Sequence, residues 1–159
     1  MTAGPADPAM DGRVRRALLA LFALGSLGTG VELLLLEHFE KPPQWTPLAL
    51  LAIGVVLAAG QLLAASRAAV RLFQAVMLLF CASGLAGIAF HYHGNVEFER
   101  ELHPERTGWA LFRGAVMGAT PALAPGTMIL LGSIGLLYAY RHPALGQSRA
   151  SGPPSEEQT

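Results

Sequence analysis

The residues able to do chemistry are concentrated in one polar interval, HYHGNVEFERELHPE from His91 to Glu105, which holds three histidines and four glutamates. Imidazole and carboxylate together can ligate a divalent cation, relay protons, or form a charged docking surface. In a helix continuing past Phe90, His93, Glu97 and Glu101 recur at i, i+4 and i+8 on one face, and with His91 they make up the candidate metal set. Gly94 and Asn95 oppose that continuation, because the pair is typical of a helix end. A new short helix capped by Asn95 would place Glu97, Glu101 and Glu105 on one side, with Phe98 and Leu102 on the other.

A further acid, Glu32, lies inside the first apolar segment. It falls about 8 Å from the midplane of a helix over 17–36, where an acid costs at least about 2.5 kcal/mol unless it is neutral, paired or wetted. Ser83 and Thr127 are the hydrogen-bonding neighbours for a neutral form. His38 and His91 end the first and third apolar segments and are conceivable axial ligands of a haem, although both stand at helix ends rather than within a bundle. The cofactor stays open: a plain charged outer surface or partner contact ranks first, a divalent metal or proton-coupled site second, and haem last.

The positioning elements follow from composition. With 52% hydrophobic and 14% charged residues, the 159-residue chain is too apolar for an ordinary soluble domain, in which about a quarter of residues are charged. Net charge is zero and no basic cluster exceeds Arg13, Arg15 and Arg16, which excludes a nucleic-acid surface. Cys81 is the only cysteine, so no internal disulfide or CxxC site exists, and its apolar setting predicts a packing role. The ten arginines against one lysine point to a high-GC bacterial origin.

Apolar segments at about 17–36, 47–65, 72–90 and 121–140 each match the roughly 30 Å of a hydrocarbon core. The expected fold is an all-α membrane protein, a four-helix transmembrane bundle over 17–140. The basic flank RVRR before Ala17 also fits a signal peptide, but the apolar run is too long for one and predicts a retained helix. Disordered cytoplasmic tails are expected at 1–16 and 141–159. Seven of the eleven basic residues fall in the two tails and the Arg67–Arg71 turn, which puts both termini in the cytoplasm of a bacterial inner membrane. The His/Glu interval then faces outward.

Finer expectations follow for the helices. Gln61 and Gln74 flank the turn between the second and third spans and predict an interhelical amide pair. Small residues at Ser26/Gly30, Gly54/Ala58, Ser83/Gly87 and Gly132/Gly135 predict close packing, within one chain or between chains. Between Pro104 and Pro121 a short interfacial helix is expected on the outer face, with Trp109, Phe112, Arg113, Val116 and Met117 on one side and Gly114 and Gly118 on the other. Pro125 should bend the last span, and His142 should be solvated.

No nucleophile motif, phosphate loop or HExxH is present, so an enzyme ranks third. The leading expectation is a non-enzymatic protein that binds a membrane partner, a second copy or a small ligand through Glu32, His38, His91, Asn95, Glu97 and Arg113. The runner-up is a small carrier in which Glu32 exchanges a proton or divalent cation.

Overall fold

The computed structural model describes residues 8–118, 121 and 123–146, with side chains from Gly12 onward; the expectations for 1–7 and 147–159 lie outside them. The described residues are helical and contain no strand. The helices are α1 (Pro8–Leu35), α2 (Trp45–Leu63), α3 (Arg67–Leu102), α4 (Gly108–Val116), α5 (Gly126–Ala139) and the single turn α6 (Pro143–Gly146).

Three helices, α1, α2 and α3, are long and apolar enough to cross a membrane. The fourth expected span is shorter than its apolar run. α5 has 14 residues, about 21 Å at 1.5 Å per residue, because two prolines disrupt the segment before it. Pro121 and Pro125 have no N–H to donate, and the chain there folds as tight turns, Ala124 N–H to Pro121 O at 3.2 Å and Met128 N–H to Pro125 O at 3.0 Å. Pro125 therefore precedes the helix instead of bending it.

Close contacts set an antiparallel register. A Cβ at Gly54 of α2 would meet the rings of Phe80 at 2.8 Å and Phe22 at 2.9 Å, so both aromatics lie against bare backbone. Along α3 and α5, Gly135 faces Met77, Gly132 faces the Met77 carbonyl and Cys81, Gly84 faces Ile129, and Gly87 faces Pro125. α1 packs on α2 and α5, and α3 packs on the same two. Phe22, Phe73, Phe80 and Met77 are fully buried at the centre, with Phe22 edge-on to Phe73 at 5.5 Å. Small residues set against aromatics are how helices associate where lipid offers no hydrophobic drive. The small-residue pairs of α2, α3 and α5 thus serve contacts within the chain, whereas Gly28 and Gly30 of α1 face open space.

Two helix limits differ from expectation. α1 begins at Pro8, so 8–16 belong to a helix and not to a tail. α3 does not stop at Phe90; it runs for 36 residues through Gly94 and Asn95. Since α5 begins beside Gly84 and Gly87, the fifteen residues after Gly87, ending at Leu102, carry α3 about 22 Å past that point.

Candidate functional site

The projecting part of α3 carries most of the candidate residues, and α4 braces it. Asn95 is buried, 3% exposed, and its Nδ2 donates to the Ala115 carbonyl at 2.8 Å. One turn on, Glu99 accepts from Arg106 Nη1 at 2.7 Å, with the Glu99 side chain 12% exposed. Both lie against glycines, one in α4 and one just past its end: a Cβ at Gly118 would stand 2.9 Å from Asn95 Cγ, and one at Gly114 would stand 2.5 Å from Glu99 Oε2. Four-residue steps on both segments, Asn95 to Glu99 and Gly118 back to Gly114, make α4 run back alongside α3. The pair is a helical hairpin, not a helix lying across the end of the fold.

This packing explains why local signals failed. Gly and Asn together disfavour a helix interior by about 1.5 kcal/mol relative to alanine, and the buried amide bond and charge-assisted pair are each worth a similar amount. On α4, Trp109 and Met117 are strongly exposed, and Trp109 stacks on Phe112 at 5.2 Å. Arg113 is exposed and borders an open cleft of about 420 Å³ with Glu99, Arg106, Ala110, Gly114 and Met117.

His38 and His91 come together from separate elements. α1 ends with His38 N–H bonded to Leu33 O at 2.9 Å and Glu37 N–H to Leu34 O at 3.1 Å, the paired bonds that close a helix when the residue between turns left-handed. Glu37 is that residue, with φ 51°, a conformation usually left to glycine. The fold-back places the His38 ring 6.1 Å from the His91 ring, centre to centre. His91 Nδ1 lies 3.2 Å from the Pro121 carbonyl, so the proline turn holds its ring. Burial, and then the neighbouring His91, lower the His38 pKa below its ordinary 6.5.

The remaining candidates are not part of either contact. His93, Glu97 and Glu101 form an exposed stripe, and at 100° per residue they lie on the side of α3 opposite Asn95 and Glu99. Among the described residues no three His, Cys, Asp or Glu side chains gather where one metal ion could be held. Glu32 is exposed on α1, and no hydrogen bond joins it to Ser83 or Thr127.

At the opposite end is a polar network that sequence reasoning missed. Arg15 donates to the carbonyls of Tyr138, of Tyr140 at 2.9 Å and of Arg141 at 3.2 Å, capping the last turn of α5 with a cation. Tyr138 is buried, and its hydroxyl lies 3.5 Å from Gln61 Oε1 and 3.4 Å from His142 Nε2. Gln61 thus pairs with Tyr138, not Gln74. His142 is half-buried, and burial followed by Arg15 lowers its pKa. A signal existed: Arg15, Leu19, Phe22 and Ser26 recur at i, i+4, i+7 and i+11, the stripe of α1 that faces the other helices. Glu99 likewise follows Asn95 by one turn.

Compared with known proteins, the chain matches no family model, no curated protein and no solved structure.

Proposed function

We propose that this chain is a small bacterial inner-membrane protein whose α3–α4 hairpin stands on the outer face and binds a membrane-protein partner or a small ligand there. The supporting observation is the bracing of the projecting half of α3. A buried amide bond from Asn95 and a 2.7 Å ion pair at Glu99 hold α4 in place, leaving the His93, Glu97 and Glu101 stripe and the Trp109/Phe112 stack turned outward. Rigid placement of polar and aromatic groups is what a recognition surface needs. In this reading α5 completes a four-span bundle. Both termini are cytoplasmic, which places Arg13, Arg15, Arg16, Arg67 and Arg71 on the side where basic residues collect.

The placement of Glu32 bears on the carrier alternative. Its side chain is exposed on α1 beside Gly28, Val31 and Leu35, so it lines no enclosed path within one chain. A carrier using Glu32 must enclose it between copies or against a partner.

Photocrosslinkers at Glu97 and Glu101 test the binding reading, with lipid-facing Leu78 and Leu79 as controls. A discrete adduct from the first pair alone is expected. Adducts from neither pair, or equally from both, would contradict it.

A further inference from the structure

We propose that His38 and His91 form a mononuclear copper site, selective for Cu(I), between the end of α1 and the middle of α3. Three observations carry it. The ring centres lie 6.1 Å apart with their planes tilted by 49°, brought there by a helix end that turns through left-handed Glu37. His91 Nδ1 is engaged with the Pro121 carbonyl at 3.2 Å; donation of its proton leaves Nε2 as the free lone pair, the usual arrangement behind a metal-bound imidazole. Among the described residues no third His, Cys, Asp or Glu joins the pair.

Geometry selects the ion. With a metal–nitrogen bond of about 2 Å and roughly 1.1 Å from nitrogen to ring centre, two rings sharing an ion have centres about 5 Å apart at a tetrahedral angle and about 6.2 Å in line. The observed 6.1 Å equals the in-line span, and the donor number then decides between ions. Zinc in a closed site takes four donors at tetrahedral angles, whereas singly charged Cu(I) is satisfied by two imidazoles in line, and imidazole is a suitable copper donor. No electron transfer is required, because the ion binds as Cu(I) and neither histidine changes oxidation state.

The inference deepens the outer-face reading by naming a ligand class, and the two fail separately: crosslinks from Glu97 and Glu101 report the partner surface, while copper binding reports only the histidine pair. The test uses the full chain, purified in detergent without a polyhistidine tag and titrated anaerobically with Cu(I) against a colorimetric Cu(I) chelator. One ion per chain is expected. His38→Ala and His91→Ala should each weaken binding by about tenfold or more, since half the donors are lost, while His93→Ala stays within about twofold of the parent. X-ray absorption of the loaded parent protein should show two imidazole nitrogens and no further near ligand, a readout that stands even if a variant fails to fold. Absence of binding by the parent, an equal loss in His93→Ala, a four-coordinate spectrum, or iron present as a haem band would each overturn the assignment.

Discussion

The side-chain amide of Asn95 donates to the backbone carbonyl of Ala115 across twenty residues of sequence, at 2.8 Å and out of contact with solvent. This bond joins α3 to α4 and holds the chain helical where Gly94 and Asn95 would otherwise end it. Asn95→Ala should therefore cost about 1–3 kcal/mol, the usual penalty when a buried carbonyl loses its donor. Thermal unfolding in detergent, with limited proteolysis between 103 and 108, measures it. The expected result is a lower midpoint together with faster cleavage at the hairpin turn.

Substituting Gly118, just past α4, and Gly28 of α1 should separate packing from exposure. A Cβ at Gly118 would lie 2.9 Å from Asn95 Cγ, whereas Gly28 and Gly30 of α1 have nothing within 4 Å. Gly118→Ala is expected to loosen α4, read as faster amide exchange from Trp109 to Val116. Gly28→Ala should leave the unfolding midpoint unchanged or slightly raised, because alanine favours a helix over glycine by about 1 kcal/mol.

Arg15 ties the start of the chain to the end of α5 through three carbonyls. Arg15→Met keeps much of the apolar stem and removes the cation, and should destabilise by about 1.5–3 kcal/mol, the range for hydrogen bonds made by a charged group. Tyr138→Phe should cost less, since its hydroxyl contacts are long at 3.4 and 3.5 Å. Denaturation midpoints of the two variants, compared in one detergent, decide the order.

Acid should weaken the fold through two histidines. His38 and His142 both have pKa values lowered from 6.5, His38 by burial and His91, His142 by burial and Arg15. For each, the unfolded chain binds a proton more readily than the folded one, so the stability present above pH 6.5 declines as pH falls through the folded pKa. The unfolding midpoint should therefore drop between about pH 7 and pH 5. The slope should be shallower in His38→Gln and shallower again with His142→Gln; an unchanged slope in the double variant would contradict the assignment.

How much of this was legible depended on how local each signal was. The apolar runs that became α1, α2 and the first part of α3 needed only composition and length, and Gly114 and Gly118 fell opposite Trp109 and Phe112 as periodicity alone predicts. The continuation of α3 was not legible, because it depends on Asn95 meeting a carbonyl twenty positions away. The start of α5 was displaced because Pro125 sits at the helix boundary, and a single sequence does not reveal whether an internal proline kinks a helix or begins one. Distance along a hairpin pairs Gln61 with Gln74, yet α5 brings Tyr138 nearer. Of the candidate site, His38 and His91 do meet, Asn95 and Arg113 belong to the braced hairpin, and Glu32 and Glu97 face elsewhere.

The central claim, a braced hairpin held outside the membrane, is tested most directly by cysteine accessibility in intact cells. Single cysteines at Glu97, Glu101 and Arg141, in a Cys81→Ser background, would be treated with a membrane-impermeant maleimide before and after permeabilisation. The account predicts immediate labelling at Glu97 and Glu101, and labelling at Arg141 only once the membrane is breached. The reverse order, or protection of all three positions until the membrane is dissolved, would contradict it.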